Sequence, residues 1–175
     1  KQFQAVGEQI VGDLADGQWN CAVFVGAEHQ PHVTDALLRT AICLCRDEKR
    51  QVLVIDAAFS DKQLTSGLGV SVEFGLAEVV KGRVPWQQAI RATGTPGLFI
   101  LPAGRITPPE LSSDDDRLPN LLRELSNQWD LVLIDAGCTG DAACHPVPSA
   151  GRNVYLLARF GDPDAIAASA ALAVI

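Results

Sequence analysis

The sequence predicts a doubly wound α/β domain, in which a mostly parallel sheet carries helices on both faces. Five short apolar runs, rich in β-branched residues, alternate along the chain with segments that have helical spacing. Such runs are typical of parallel strands that are buried on both faces, and their alternation with helices is typical of βαβ units. A length of 175 residues with 47% hydrophobic content suffices for one core, so we expect a single domain over residues 1–175.

The first third of the chain contains two of the predicted strands. Residues 1–15 predict an amphipathic helix, because apolar side chains recur at helical spacing: Phe3, Val6, Ile10 and Leu14. CAVFVG (21–26) predicts a buried strand, and a helix over 35–47 should follow with Thr34 or a neighbour as its N-cap. QVLVIDAA (51–58) predicts the second strand.

The rest of the chain continues this alternation. Its predicted strands are GLFILPAG (97–104), DLVLIDAG (130–137) and NVYLLARF (153–160). Its predicted helices cover 75–82, 84–90 and 118–128, with a last helix that begins at Asp162 or Pro163. We expect Gly82 to close the first of these helices and Pro85 to lie in the first turn of the second. The acidic, proline-containing segment 106–117 predicts a solvated connector.

The predicted topology brings three distant parts of the chain together. Right-handed crossovers place the C-terminal ends of parallel strands along one edge of the sheet. We therefore expect the 26–34 loop, Asp56 and Asp135 to converge there, because each follows or ends a predicted strand.

Composition excludes some classes of function. A net charge of −7 and a pI near 4.8 argue against sequence-independent nucleic-acid binding, which depends on clustered Lys and Arg. No segment resembles a signal peptide, and no apolar run approaches the roughly 20 residues that span a bilayer, so we expect a cytoplasmic domain. Because the chain begins without Met and ends in mid-pattern, we expect it to be a piece of a longer protein.

The cysteines and histidines offer two metal-site hypotheses, both of which the sequence disfavours. The five cysteines form no CxxC pair and are expected to be free thiols, although Cys138, Cys144 and His145 could be ligands. His29 and His32 could bind a metal together with Asp56, but no spacing supplies the remaining ligands. Three tryptophans are expected to be packing residues: Trp19, Trp86 and Trp129.

Four segments, taken in order and spacing, resemble a known family. They are VLVIDAAFSDKQLTSGLGV, FGLAEVVKGRVPWQQAI, TGTPGLFILPAGRITPPELSS and WDLVLIDAG. Together they are similar to the cytoplasmic ATPase domain of the bacterial tyrosine kinases that regulate capsule and exopolysaccharide assembly. These kinases are related to the MinD/ParA-like class of deviant-Walker P-loop proteins. The resemblance covers nearly the whole chain and implies the P-loop NTPase fold.

The phosphate-binding loop of that family runs roughly A-E-x-G-x-G-K-[ST]-T. Its glycines turn backbone amides onto the phosphates, its lysine neutralises them and its hydroxyl binds Mg²⁺. Three positions match this pattern, namely Ala27, Glu28 and Thr34. Three others depart from it, since Gln30 and His32 replace glycines and Val33 replaces the lysine. The resemblance therefore implies a degenerate phosphate loop.

The acidic positions of the family are only partly retained. Asp56 matches the first aspartate of a D-x-D pattern and Ala58 replaces the second, while Asp135 matches an aspartate that contacts Mg²⁺ through water. The resemblance implies that Thr34, Asp56 and Asp135 would hold Mg²⁺, with the two aspartates catalytic, if nucleotide binds. The alternative interpretation is that both aspartates cap neighbouring helices or bind loop amides.

The regulatory features of the family are also reduced. Tyr155 is the one tyrosine, and we expect a core residue inside a strand rather than a phosphorylation site. The pattern E-x-x-R-x-x-R that assembles the family's ring falls on Lys1, Gln4 and Gly7, none of which matches.

Two functions follow as expectations. The first is a catalytically inactive regulatory or scaffolding domain in exopolysaccharide or capsule synthesis and export, which needs no cofactor. It would contact protein partners such as a membrane polysaccharide co-polymerase or a second copy of itself, and no nucleic acid. A partner or flanking segment would hold it at the inner face of the inner membrane. The alternative is a Mg–ATP-binding ATPase or tyrosine kinase with an atypical phosphate loop.

Overall fold

A computed structural model describes most of the chain. The described residues are 2–15, 19–27, 32–70, 73–105, 116–139, 146–150 and 153–157. The helices within these ranges are α1 (Gln2–Ala15), α2 (His32–Asp47), α3 (Gln63–Gly67), α4 (Leu76–Val80), α5 (Trp86–Ala89), α6 (Arg117–Ser126) and α7 (Pro146–Ala150). The strands are β1 (Cys21–Gly26), β2 (Val52–Asp56), β3 (Arg91–Ala92), β4 (Leu98–Leu101), β5 (Leu131–Cys138) and β6 (Asn153–Leu157).

The six strands form one sheet in the order β3-β4-β2-β5-β1-β6. All neighbouring pairs are parallel except β3 and β4. Each residue of β1 and β2 is buried, because both faces of these central strands are covered. The predicted fold class, a mostly parallel α/β sheet, is thus confirmed.

Alternate side chains of β1, β2, β4 and β5 point into two separate hydrophobic cores. In β1, Val23 and Val25 belong to the core that is shared with α4, α5, α6 and α7. Ala22 and Phe24 belong to the core that is shared with α1, α2 and α3. Helices therefore cover both faces of the sheet, as predicted. The three tryptophans pack against the first of these cores, also as expected: Trp19, Trp86 and Trp129.

Several boundaries differ from those predicted. Helix α2 begins at His32, earlier than the predicted start at residue 35, and Pro85 precedes α5 as its N-cap rather than lying in its first turn. Three elements were not predicted, namely α3, β3 and α7. With five, two and five residues, they are too short to show a hydrophobic period. Of the predicted connector 106–117, residues 106–115 lie outside the described residues, and α6 already begins at Arg117. The last helix, predicted from Asp162 or Pro163, also lies outside them.

Tyr155 is half-buried in β6 rather than fully enclosed in a core. Its ring stacks on Phe24 with 5.7 Å between centroids, and its hydroxyl donates a hydrogen bond of 2.8 Å to Asp13 Oδ2 of α1. The expectation of a core residue is thus met for the ring but not for the hydroxyl.

The described cysteines are free thiols, as expected: Cys21, Cys43, Cys45 and Cys138. Among the helices of the described segments, none is long and apolar enough to cross a membrane.

Candidate functional site at the C-terminal edge of the sheet

The central strands bring the predicted site residues together. Strand β5 lies between β1 and β2, with Gly26 of β1 paired to Cys138 and Asp56 of β2 paired to Asp135. Thr34, in the first turn of α2, reaches the same edge. The predicted convergence is therefore observed for the described residues, which include both aspartates but not residues 28–31 of the loop.

Asp135 is held by two protein donors. Its Oδ2 accepts a hydrogen bond of 2.5 Å from the Thr34 hydroxyl, and its Oδ1 accepts one of 3.0 Å from the amide of Gly137. The side chain is only 1% exposed. Thr34 is the third residue of α2 and not its N-cap, so the predicted capping role was wrong for this residue. Its hydroxyl instead makes a tertiary contact to β5.

Asp56 is fully enclosed and has three donors. Its Oδ1 accepts from the amide of Ala58 at 3.2 Å. Its Oδ2 accepts from the Thr65 amide at 2.8 Å and from the Thr65 hydroxyl at 2.5 Å. The Thr65 hydroxyl in turn accepts from the amide of Ala103, just after β4, at 3.1 Å. Thr65 therefore joins the ends of β2 and β4.

Sequence reasoning missed Thr65. It lies nine residues after Asp56, in the short helix α3, which shows no hydrophobic period. The one available signal was a hydroxyl-bearing side chain downstream of a strand-end aspartate, which by itself is too common to single out a residue.

Burial raises the pKa of both aspartates. The pKa of Asp56 rises to about 6 because burial disfavours the charged form, while the hydrogen bonds from Thr65 and Ala58 oppose the shift and the Asp135 charge adds to it. The pKa of Asp135 is likewise raised by burial, against the hydrogen bonds from Thr34 and Gly137. The edge thus contains two adjacent carboxyl groups that favour protonation more than exposed aspartates do.

Val33, at the position of the family's lysine, lies in a hydrophobic core. It is 4% exposed and belongs to the same cluster as Phe24, Leu37 and Leu133. A side chain at this position of α2 therefore contacts apolar neighbours. The sequence itself shows that the family's lysine is absent at position 33, but it did not predict that Val33 is buried.

The remaining loop positions are described only in part. Ala27 is buried, and its amide donates to the Leu157 carbonyl at 3.0 Å. Glu28 and Gln30 lie outside the described residues, and His32 is described only as the first residue of α2. That these positions form a degenerate phosphate loop therefore stays a prediction.

Lys62 is the first cation after Asp56 in the sequence. Its side chain is directed toward β4 and away from β1. Its ammonium donates a hydrogen bond of 2.9 Å to the carbonyl of Gly104, which follows β4. Strands β2 and β5 separate β4 from β1, whose C-terminal end begins the predicted phosphate loop. Lys62 is thus not placed as a substitute for the lysine that Val33 replaces.

The segments that resemble the kinase family meet at a third buried carboxylate. Glu78 of α4 is 3% exposed and accepts from the amides of Gly75 at 2.8 Å and Arg105 at 3.1 Å. A Cβ at Gly75 would collide with the Pro102 carbonyl, so glycine is required where the two segments touch. The GLAE and PAG sequences are therefore explained by packing.

The predicted metal sites can be assessed only where their residues are described. Within the described ranges, no group of three or more His, Cys, Asp or Glu side chains is placed to hold a metal ion. His29, Cys144 and His145 lie outside those ranges.

The sequence matches no model of a known protein family. It is similar to a curated tyrosine-protein kinase, ptk from Acinetobacter johnsonii, with 33% identity over 109 residues. That match covers 60% of this chain and 15% of the kinase, so the chain spans only a small part of its relative.

Solved structures show the same fold. The kinase domain of Escherichia coli tyrosine kinase ETK superposes with a TM-score of 0.87 at 22% identity, covering 98% of this chain and 69% of that one. The BceF tyrosine kinase domain gives a TM-score of 0.82 at 22% identity, covering 98% and 71%. MinD from Pyrococcus horikoshii, solved with Mg–ADP, gives 0.66 at 22% identity, covering 79% and 57%.

Proposed function

Because the chain is homologous to a bacterial tyrosine-protein kinase and has the fold of MinD-like P-loop NTPases, we propose that it is a catalytically inactive member of this group. In this proposal it regulates or scaffolds the machinery that synthesises and exports exopolysaccharide or capsule. Its contacts are with proteins, and it needs no nucleotide. The family that the sequence resembles supports the proposed pathway, and the composition of the site supports the proposed inactivity.

The observation that carries the proposal is the burial of Val33. A bound nucleotide brings several negative charges to the loop before α2, and a lysine at position 33 would neutralise part of them. Val33 offers no charge and is packed among apolar side chains. The described cation Lys62 is bound to Gly104 on the far side of β2.

The hydrogen bonds of the aspartates support the same conclusion. The Thr34 hydroxyl and Asp135, which would flank a magnesium ion in the family, are bonded directly to each other at 2.5 Å. Both oxygens of Asp56 also accept from protein donors. A magnesium ion would have to share these oxygens with the donors that already occupy them, or displace those donors, which favours a site that works without Mg–nucleotide.

One observation favours the alternative, an ATPase or tyrosine kinase with an atypical loop. Thr34, Asp56 and Asp135 do meet at one edge of a fold that binds Mg–ADP in a MinD of similar structure. If this alternative holds, Mg–ATP binding depends on Asp135 and on a rearrangement that frees its carboxylate.

Calorimetric titration of the protein with Mg–ADP and Mg–ATP separates the two functions. We expect no binding heat up to millimolar nucleotide. Micromolar binding, equivalent to about −8 kcal/mol, that is lost in Asp135→Asn would overturn the proposal in favour of the alternative.

A variant with the loop residues restored serves as the matched control. Gln30→Gly, His32→Gly and Val33→Lys together restore the family pattern, and thermal unfolding first establishes that this variant is folded. If the restored variant binds Mg–ADP and the wild-type protein does not, the residues at these three positions explain why the wild-type protein fails to bind nucleotide.

The proposed role also predicts that binding to the protein partner does not depend on nucleotide. Co-purification of a membrane polysaccharide co-polymerase with the tagged protein should be the same with Mg–ATP as with EDTA, because the proposed contact is independent of nucleotide. Loss of the co-purified partner in EDTA, regained with Mg–ATP, contradicts the scaffolding role.

A further inference from the structure

Two threonine–aspartate pairs repeat one geometry at the strand ends. Asp56 and Asp135 are register partners on β2 and β5. Each accepts a threonine hydroxyl on Oδ2 at 2.5 Å, from Thr65 and Thr34 respectively. Each also accepts, on Oδ1, the amide of the residue two positions ahead. The two aspartates thus share a donor arrangement although their threonines come from different helices.

Each pair ties a helix to the sheet. Thr34 lies in the first turn of α2, so its bond to Asp135 joins that turn to the end of β5. Thr65 lies in α3, and its bond to Asp56 joins α3 to the end of β2. Through the amide of Ala103, the same hydroxyl also holds the chain that leaves β4.

We propose that these two pairs are internal clamps, which hold α2 and α3 against the strand ends in place of a bound ligand. The edge then keeps one conformation whether or not nucleotide is present. This inference rests on the proposed function, because a clamp of this kind matters most where no Mg–nucleotide joins the same elements.

The Thr34 clamp is the more sensitive of the two. The one hydrogen bond described at Asp135 Oδ2 comes from Thr34, whereas Asp56 Oδ2 also receives the Thr65 amide. Loss of the Thr34 hydroxyl therefore leaves an acceptor of a side chain that is 1% exposed without this donor. Opening of the α2 first turn to water is the simplest way for that acceptor to recover a partner.

Hydrogen exchange followed by mass spectrometry tests the clamp in the 175-residue protein. We compare Thr34→Val, which removes the hydroxyl at nearly constant shape, with Thr34→Ser, which keeps it. We expect amides of residues 36–40 to exchange at least about tenfold faster in Thr34→Val and within about twofold of wild type in Thr34→Ser. Amides of residues 121–125 in α6, on the opposite face of the sheet, should keep their rates in both variants.

A second pair of variants covers the case in which Thr34→Val does not fold. Thr65→Val and Thr65→Ser are compared in the same way at residues 63–67, where we expect acceleration only in the valine variant. In the wild-type protein, millimolar Mg–ADP should leave all of these rates unchanged.

The outcomes separate the clamp from the proposed function. Equal exchange in each valine variant and its serine control overturns the clamp and leaves the proposed function standing. Acceleration that is equal at residues 36–40 and 121–125 also overturns it, since the effect would then be global. Slower exchange of the wild-type protein in Mg–ADP overturns the proposed function.

Discussion

Asp56 and Asp135 lie side by side as register partners at the ends of two neighbouring parallel strands, and both are almost completely buried. Together with burial, the larger cause, the charge of Asp135 raises the pKa of Asp56 to about 6. Because the pKa values of both aspartates are raised in the folded state, the stability of the domain depends on pH.

The first prediction is that the free energy of unfolding falls as pH rises from about 4 to about 6. The folded pKa of Asp56 is about 6 and the ordinary pKa of an aspartate is 3.8, so in this window the folded state retains a proton that the unfolded state has lost. Stability is therefore highest below about pH 4 for this group and is lost as pH passes through 6, by on the order of 2–3 kcal/mol. Urea unfolding at several pH values measures the slope.

Asp56→Asn is the control for this titration, because it keeps the shape of the side chain and removes the ionisable group. The difference between the wild-type and Asp56→Asn stability curves should change across pH 4 to 6 and be flat above about 7. A difference that is constant from pH 4 to 8 would show that Asp56 has an ordinary pKa.

The second prediction concerns the position of the family's lysine. Val33→Lys should lower the free energy of unfolding by about 3 kcal/mol, because it places an ammonium group in an apolar core. Val6→Lys is the matched control, since Val6 is 40% exposed in α1 and the same exchange there should cost within about 0.5 kcal/mol. Thermal unfolding measures both, and equal losses would mean that Val33 is not enclosed as described.

The same residue shows where sequence reasoning stops. The central strands were predicted to within two residues, because β1, β2 and β5 are apolar runs with few alternative structures. The burial of Val33 depends on where α2 begins, and the structure places that start at His32 rather than at residue 35. A shift of three residues is within the usual uncertainty of a helix boundary that is predicted from sequence, yet it moves Thr34 from a cap to the body of the helix.

The site was predictable to the extent that topology determines it. Parallel strands place their C-terminal ends on one edge, and that rule alone brought Asp56 and Asp135 together. The partners of these aspartates were not predictable, because the bonds from Thr34 and Thr65 depend on how each helix is rotated over the sheet. Short elements such as α3 leave no periodic pattern from which that rotation could be inferred.

The third prediction tests the contact between the two segments that carry the family resemblance. Gly75→Ala should destabilise the protein by about 3 kcal/mol or more, because its methyl group would collide with the backbone of Pro102 and Gly104. Gly12→Ala is the control in α1, where an added Cβ meets nothing within 4 Å and improved helix propensity should stabilise by up to about 1 kcal/mol. Urea unfolding should give opposite signs for the two variants, and a stable Gly75→Ala protein would refute the described contact.

The fourth prediction concerns the bond that ties β6 to α1. Tyr155→Phe keeps the ring on Phe24 but removes the hydrogen bond to Asp13, and we expect a loss of about 1 kcal/mol because the bond is near the surface. Burial, and to a smaller degree Asp13, also raise the pKa of Tyr155, so Asp13→Asn should lower that pKa toward its ordinary value. Unfolding of both single variants and the double variant gives the coupling energy between the two side chains. If the double variant loses the full sum of the single losses, the hydroxyl and the carboxylate do not interact in solution, and another contact must hold α1 against β6.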